Sequence, residues 1–456
     1  MNIKNIIAVV AITGALIGCG GGASSTSSSS GLSDADSLTG TVFAPNGTDP
    51  VAGATIYIPS SGSTMVVKNK APAGKTVTGS DGTTTCDDPP ETACAETCSL
   101  PDGTFTLDST ACPSTATTLK IVKGSLAKTT TLDCSGTTCT LAAADTTFPS
   151  TTSAGAPTMA VVTGEWDDIE DVLAKLGFGT LGSNGRLDIS QPFQFTLIDG
   201  DDTLDDTEYN NFSELLDGTI DMESFDIIFI NCGAHDYEDS ADLSDNDIQV
   251  RISEYMANGG KLYVTDRAYD YIEQIFPAFL KFYGDSADPN SAGAIDAAEY
   301  GSGSITADAV VNDSTMQNWL GEVTVNASTL DATVPGNPTT EYDAGSDCSG
   351  SGSYTQVTGA LKTDDTIPIG DFLGNWAMID SAHSGSGALI PTLWIDSGSG
   401  SSADFGMDNR PLTASVSYGS NGGKIAYSSY HTAHQCPTQG FWPQERILQY
   451  LIFETF

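Results

Sequence analysis

The fold of the larger part of the chain is decided by Phe225-Asp-Ile-Ile-Phe-Ile-Asn-Cys232 and, after a gap, by Lys261-Leu-Tyr-Val-Thr-Asp266. Both runs are mostly apolar, which is typical of strands buried on both faces of a parallel sheet. Between them, apolar residues recur at helical spacing and the pattern stops at Gly259-Gly260. This strand–helix–strand order predicts a parallel, doubly wound sheet.

The same alternation continues on both sides of these runs. Upstream, Met159–Thr163 and Phe193–Ile198 read as strands. We predict that Asp167 caps the helix between them, with Glu170 completing a capping box. Downstream, a helix is predicted over 269–283 and strands at 376–379, 389–394, 412–418 and 424–431, followed by a helix from Pro443. Residues 158–456 are therefore expected to form an α/β unit with a flavodoxin-like, three-layer arrangement.

A different pattern precedes this unit, over residues 38–148. Polar and apolar residues alternate in Leu38–Phe43, Val51–Ile58 and Asp102–Leu107, which is the period of half-buried strands. We therefore expect an all-β sandwich, joined to the α/β unit by a linker over 149–157.

The order of these strands resembles the carboxypeptidase-regulatory-like, transthyretin-type sandwich. The residues that carry this resemblance are Gly40, Gly53, Ala54, Asp102, Gly103 and Phe105. The chain departs from the pattern by a long Thr/Cys-rich insertion, Thr76–Ser99. Modules of this type are accessory, so the resemblance implies a spacer or a binder of carbohydrate or protein.

The N-terminus has the features of an export signal. Lys4 precedes an apolar run, Ile6–Ile17, that is too short to span a bilayer. Leu16-Ile17-Gly18-Cys19 resembles the lipobox of bacterial lipoproteins, which implies a signal peptide over 1–18, acylation of Cys19 and a lipid bilayer as partner. Residues 19–37 form a Gly/Ser-rich tether. Gly20 favours the outer membrane or cell surface if the cell is Gram-negative.

Composition narrows the partners further. The 456 residues include 59 acidic and 17 basic side chains, a formal charge of -42. Nucleic acid and anionic membrane surfaces would repel such a chain, so nucleic acid is excluded as a partner. A glycan or an envelope protein remains compatible with this surface.

The cysteines indicate an oxidising compartment. Six lie in the sandwich and are disulfide candidates of open pairing, with Cys134–Cys139 preferred as a tight hairpin: Cys86, Cys94, Cys98, Cys112, Cys134 and Cys139. The alternative is a zinc site that uses Cys94 and Cys98. In the α/β unit we expect Cys348 to pair with Cys436, which leaves Cys232 reduced and buried.

The α/β unit resembles the class I glutamine-amidotransferase-like superfamily, closest to its trehalose-utilisation-type branch. The phrases that carry this are F-D-I-I-F-I-N-C-G, I-S-E-Y-M-A-N-G-G-K-L-Y-V-T-D and Y-G-S-N-G-G-K-I-A-Y-S-S-Y-H. The family's nucleophilic Cys would stand at Val264-Thr265-Asp266-Arg267, which has neither Cys nor a Gly for the strained turn. His431 occupies the family's His position, but Thr432-Ala433 replaces the expected Pro-Glu. The resemblance therefore implies the fold without glutamine hydrolysis, and it places Cys232 in the loop that supplies oxyanion contacts.

Asp266 and His431 are the remaining catalytic candidates, because both should lie at the carboxyl edge of the sheet. They could act as a hydrolytic pair or as metal ligands joined by His434 or Glu165. The alternative is that Asp266 caps the following helix and that His431 forms hydrogen bonds within a site that has lost its catalytic function. We favour this second interpretation because no third catalytic group is fixed by spacing.

Two acidic segments suggest calcium ligands. Asp199–Asp206, with Asp199 and Asp201, and Asp236–Asp242 offer hard oxygen donors, but solvated loops are the simpler interpretation. No cofactor is assigned; Ca²⁺ and a divalent transition metal are the candidates. We expect a surface lipoprotein with a non-catalytic binding or structural role. The alternative is an exported hydrolase of a sugar- or amide-containing polymer that uses Asp266 and His431, with or without a metal.

Overall fold

The structure is a computed structural model of the 456-residue chain. It describes residues 31–60 (without Asp34), 76–204, 208–234, 245–284, 305–328, 354–372, 376–383, 389–398, 409–433 and 437–455, together with Leu243, Gly301 and Pro338. Within these residues the protein is multidomain, with many strands in several sheets and few helices.

The elements follow one another in two groups. The strands of the first group are β1 (Ser37–Thr41), β2 (Thr55–Pro59), β3 (Thr76–Thr78), β4 (Thr85–Asp87), β5 (Ala93–Cys98), β6 (Thr104–Asp108), β7 (Thr118–Lys123), β8 (Leu126–Thr131) and β9 (Thr138–Thr140). The strands of the second are β10 (Met159–Val162), β11 (Thr196–Asp199), β12 (Asn210–Asn211), β13 (Ile227–Ile230), β14 (Lys261–Thr265), β15 (Leu280–Phe282), β16 (Ile305–Val311), β17 (Thr324–Ser328), β18 (Tyr354–Thr358), β19 (Thr366–Phe372), β20 (Ile379–Ala382), β21 (Thr392–Asp396), β22 (Pro411–Tyr418) and β23 (Gly423–Ser428). The helices are α1 (Ala143–Thr146), α2 (Ile169–Leu173), α3 (Phe212–Leu216), α4 (Asn246–Ala257), α5 (Asp270–Glu273), α6 (Ser314–Leu320) and α7 (Pro443–Glu454).

The first group builds two sheets over a shared apolar core. Their strand orders are β6-β1-β9 and β5-β2-β7-β8. Apolar residues of both sheets, among them Leu38, Phe105, Ile56 and Ile121, belong to one buried cluster. The segment Thr76–Ser99, expected to be an insertion, contains the β3–β4 hairpin and β5, which pairs with β2 as an edge strand.

Disulfides tie this all-β region together. Within the described residues the bonds are Cys86–Cys98, Cys94–Cys112 and Cys134–Cys139. The last is the hairpin pair that the sequence favoured. The zinc alternative for Cys94 and Cys98 is wrong, because each sulfur is bonded to a different cysteine.

The second group is organised around a ten-stranded sheet of order β12-β11-β10-β13-β14-β23-β22-β21-β16-β19. Neighbours from β12 to β23 run parallel, and the pairs from β23 to β19 are antiparallel. Alternate residues of β14 face opposite clusters: Tyr263 lies in the cluster of α2 and α7, whereas Leu262 and Val264 lie in that of α3 and α4. Helices therefore cover both faces of the parallel part.

The all-β region and the ten-stranded sheet are in direct contact. The guanidinium of Arg446, on α7, reaches the carboxylate of Asp49 at 2.6 Å, and both are largely buried. Trp319 Nε1 donates to the Pro50 carbonyl at 2.9 Å. At Gly177 (φ 96°) a Cβ would stand 2.6 Å from the backbone nitrogen of Asn46, so only glycine permits this close approach.

Two predictions about the segment after β14 are wrong. The helix expected over 269–283 is limited to α5, and β15 occupies its second half. Pro277 lacks an N–H and its ring clashes with the preceding turn, so the helix cannot continue through it. The strand expected at 376–379 begins at Ile379 as β20, which pairs with β15.

Candidate functional site

Three side chains meet at the carboxyl edge of the parallel strands. Cys232, Asp266 and His431 follow β13, β14 and β23, which are neighbours in the sheet. The thiol sulfur, a carboxylate oxygen and a ring nitrogen of these residues all lie within 4.8 Å of one another. Asp266 Oδ2 is 3.0 Å from His431 Nε2 and 3.6 Å from Cys232 Sγ. We call these three residues the Cys–Asp–His cluster; their exposed fractions are only 1%, 1% and 2%.

Asp266 lies at a strained turn that the sequence did not predict. Its φ is 45°, in the left-handed region, although no glycine is present. Aspartate tolerates this region better than most residues because its side chain is short and polar. Asp266 therefore follows β14 in a left-handed conformation, with its carboxylate in the cluster.

The carboxylate of Asp266 is contacted by a segment that follows it in the chain, residues 376–379. Its Oδ1 accepts the N–H of Ala377 at 2.7 Å. The hydroxyl of Tyr427 lies 2.9 Å from the carbonyl oxygen of Asp266 and 3.1 Å from that of Ala377. The expectation that Asp266 caps the following helix is wrong, because Thr265 precedes the helical turn Asp266–Tyr269 as its N-cap and Tyr269 is the N-cap of α5. Segment 376–379 closes the cluster on this side.

His431 contacts the cluster through charge rather than through aligned hydrogen bonds. Within the described part of the chain, neither ring nitrogen has a hydrogen-bond partner in line with it, despite the 3.0 Å approach to Asp266. Burial lowers the pKa of His431, but the neighbouring Cys232 and Asp266 outweigh this and hold its pKa well above the usual value. The surroundings of His431 therefore favour its protonated form.

Cys232 is a free, buried thiol, as the sequence suggested. Burial, together with the negative charge of Asp266, raises the pKa of this thiol to about 11. Because the thiolate is the nucleophilic form, this environment disfavours nucleophilic chemistry by Cys232. Its backbone N–H donates to the Thr265 hydroxyl at 3.0 Å, which fixes the loop against β14.

Asp167 has a role that sequence reasoning missed. It does not cap α2, whose N-cap is Asp168. Instead its two oxygens accept the N–H groups of Thr432 and Ala433 at 2.9 and 2.8 Å. Burial raises its pKa to about 6, while the charge of His431 and these N–H groups act in the opposite direction. Asp167 therefore positions the loop that carries His431, a role that no local sequence signal reveals across 265 residues.

An acidic cleft of about 150 Å³ opens beside this network, at the ends of β10 and β11. Its lining includes Thr163, Asp168, Glu170, Asp171, Arg186 and Asp201. Burial and the charge of Asp168 raise the pKa of Asp171 to about 7 and that of Glu170 well above its usual value. The amide of Asn231 donates to Glu170 at 3.0 Å and to the Asp167 carbonyl at 2.8 Å, which links the cleft to the Cys–Asp–His cluster.

Asp199 and Asp201, the calcium candidates that lie within the described residues, do not belong to a group of three potential ligands there. Asp199 Oδ1 accepts the N–H groups of Asp201 and Thr203, and Asp201 accepts the hydroxyl of Thr163. Of the residues described, only the Cys–Asp–His cluster brings three potential ligands together. Glu165 is exposed and is not in that cluster. The other candidates lie outside the described residues: Cys19, Asp236–Asp242, His434, Cys348 and Cys436.

Comparisons with known proteins add little. No family model matches the chain. No curated protein matches it either. Among solved structures, PurLQS from Thermotoga maritima superposes with a TM-score of 0.30 and 12% identity, over 65% of this chain and 97% of the other. So loose a superposition carries no argument about fold or function. In the part of the chain that the structure describes, no helix has the length and apolarity needed to cross a membrane.

Proposed function

We propose that this protein is an exported envelope lipoprotein whose α/β unit holds a non-catalytic, amidotransferase-like site, and whose role is to bind or to organise envelope material. One observation carries this: the carboxylate at the nucleophile turn is buried and bound to a backbone N–H. Asp266 is 1% exposed and presents no free oxygen to solvent, since Oδ1 is taken by Ala377 and Oδ2 faces Cys232 and His431. Among the described residues, Ala377 would have to move for a substrate to replace its N–H on this carboxylate.

The strand order supports the flavodoxin-like part of this proposal. The parallel run β11-β10-β13-β14-β23 has helices on both faces, which is the plan of doubly wound folds. Their ligand sites lie at the carboxyl ends of the strands, where the cluster and the acidic cleft lie here. The all-β region, with two sheets over one core, supports the transthyretin-type assignment in the same way.

The acidic cleft is the best candidate for ligand contact in this unit. Its carboxylates accept hydrogen bonds, and the half-exposed guanidinium of Arg186 donates them, next to Asp168 and Asp171. Such mixed donors and acceptors suit the hydroxyl and amide groups of a glycan or peptide. The charge of -42 excludes polyanions from the same surface.

Binding and turnover can be separated with peptidoglycan sacculi and chitin as probes. The full-length protein in detergent should co-sediment with at least one polymer and should release neither reducing ends nor free amines. Asp266→Asn should bind as the wild type does, whereas Arg186→Ala should bind more weakly. The absence of binding to both polymers would contradict the glycan and peptide role.

The second candidate function is hydrolysis by Asp266 and His431. The 3.0 Å contact between their side chains at the carboxyl edge of the sheet favours it, because that geometry suits proton transfer between a base and an acid. Product release that disappears in Asp266→Asn would establish this alternative and overturn the first.

Lipid anchoring at Cys19 is tested separately. Cells that express the chain should incorporate radiolabelled palmitate into it, and Cys19→Ala should abolish the label. Cys232→Ser is the matched control, because it removes a cysteine outside the signal region. Equal labelling of Cys19→Ala and the wild type would show that the lipobox interpretation is wrong.

A further inference from the structure

We infer that the Cys–Asp–His cluster is a binding site for a divalent transition metal of the zinc type, held by Cys232 Sγ, Asp266 Oδ2 and His431 Nε2. This goes beyond the proposed function and does not depend on it. Three observations carry it: the spacing of the donor atoms, the unsatisfied ring of His431, and the way Asp266 is held.

The spacing of the donor atoms fits a tetrahedral ion. With Zn–N and Zn–O bonds of about 2.1 Å and a Zn–S bond of about 2.3 Å, the edges of the tetrahedron are about 3.4 Å for N···O and about 3.6 Å for S···O. The observed separations from Asp266 Oδ2 are 3.0 Å to Nε2 and 3.6 Å to Sγ. Both separations lie within about 0.4 Å of the tetrahedral edges, and a ring nitrogen of His431 lies within 4.8 Å of Cys232 Sγ.

His431 lacks the partners that a buried imidazole normally has. Its exposed fraction is 2%, and within the described residues neither ring nitrogen has an aligned hydrogen-bond partner. Buried polar atoms are usually satisfied, and each exception calls for an explanation. A metal ion between His431 and the other two side chains would satisfy Nε2 directly.

The environment of Asp266 leaves one oxygen for a metal. Because Oδ1 accepts the N–H of Ala377, Oδ2 is the oxygen that faces the other two ligands. A thiolate, a carboxylate and a neutral imidazole with a divalent cation have zero net charge, which suits a site sealed from water. The sulfur and nitrogen donors favour a zinc-type ion over Ca²⁺ or Mg²⁺, which prefer oxygen.

Cobalt and zinc loading of the full-length protein tests this inference. After treatment with a chelator and dialysis, the protein should bind one equivalent of Zn²⁺ or Co²⁺ at this site. The Co²⁺ form should show a thiolate-to-cobalt charge-transfer band in the near ultraviolet. Cys232→Ser should lose this band and weaken binding on the order of 100-fold or more, since changes even in the groups that orient metal ligands cost 10–100-fold.

Matched variants make the result unambiguous. His383→Ala removes a histidine outside the cluster and should leave the band and the affinity unchanged. If Cys232→Ser does not fold, Asp266→Asn decides, because its amide oxygen can still accept the N–H of Ala377; it should fold and weaken metal binding. The inference is overturned if no equivalent binds or if binding is unchanged in the cluster variants. Metal binding without turnover supports both proposals, whereas turnover overturns only the proposed function.

Discussion

Substitutions of Asp266 provide the sharpest test of whether its carboxylate serves the structure. The left-handed φ of 45° costs an ordinary L-residue about 1–2 kcal/mol, and the buried bond from Ala377 to a charged acceptor contributes about 1.5–3 kcal/mol. Asp266→Ala loses the bond and leaves the strain unrelieved, so we expect a loss of about 1.5–3 kcal/mol in the free energy of unfolding.

Two further variants divide that loss into its parts. Asp266→Gly also loses the bond but removes the backbone strain, at a cost of about 0.5–1 kcal/mol in chain entropy, so its net loss should be about 1.5 kcal/mol. Asp266→Asn keeps an acceptor for Ala377 and tolerates the turn, so about 1 kcal/mol is expected. The predicted order of stability is therefore wild type, Asn, Gly, Ala.

Urea unfolding followed by tryptophan fluorescence measures this order, with a chelator present so that bound metal does not contribute. The slope of the free energy of unfolding against urea concentration should be the same for all four proteins. Asp266→Ala as stable as Asp266→Asn would refute the structural role of the carboxylate. A variant more stable than the wild type would indicate that the carboxylate is kept for chemistry at a cost in stability, which favours the hydrolase.

Three other predictions address the surroundings of the site. Asp167→Ala should cost about 3–5 kcal/mol in urea unfolding, because two buried backbone N–H groups lose a charged acceptor; a cost below about 1 kcal/mol would contradict the role of Asp167. Asp49→Ala should cost about 3–5 kcal/mol because it leaves the buried guanidinium of Arg446 without its carboxylate partner, and it should speed proteolysis between the all-β region and the sheet; unchanged proteolysis would argue against a firm contact. The pKa of Asp171 in the folded state is about 7, above its usual value of 3.8. The folded state therefore holds the proton of this carboxyl more tightly than the unfolded state does. The stability that this proton provides is present at low pH and is lost as the pH rises from about 4 to 7. In the wild type this carboxyl should lower the free energy of unfolding by a few kcal/mol across this pH range, and Asp171→Asn should remove that decline. The measurement is Tm against pH for both proteins; identical profiles would count against a buried Asp171 carboxyl.

The sequence predicted the elements whose patterns are local. The apolar runs of β13 and β14 and the helical spacing before Gly259 placed two parallel strands and α4 close to their observed positions. From strands that end in Asp266 and His431 it followed that both residues should share one edge of the sheet. Their contact at 3.0 Å agrees with that expectation.

Features that depend on distant partners were not predictable. Asp167 precedes a helix and has the composition of a cap, but its partners lie 265 and 266 residues away. The left-handed turn at Asp266 depends on Ala377 and Tyr427, which reach it from a later segment. Cys232 joins the cluster only because β13 and β14 are neighbours, which strand patterns alone do not establish.

The all-β region shows the same limit. Alternation predicted β1, β2 and β6, whereas β5 was assigned to an insertion because its residues, Ala93–Cys98, are mostly small and polar. Two of the disulfides end on β5, at Cys94 and Cys98. Covalent bonds thus hold an edge strand whose side chains bury little apolar surface, and hydrophobic pattern could not reveal it.

The rate at which Cys232 reacts with a thiol reagent tests most directly whether the cluster is closed. In native protein treated with chelator, a buried thiol with a pKa of about 11 should react only through unfolding, so labelling should be slow, and urea should accelerate it in step with loss of structure. Cys232→Ser should show no labelling under either condition if the other cysteines are bonded. Rapid labelling of the native wild type, at a rate independent of stability, would mean that the site is open to solvent and would contradict the non-catalytic account.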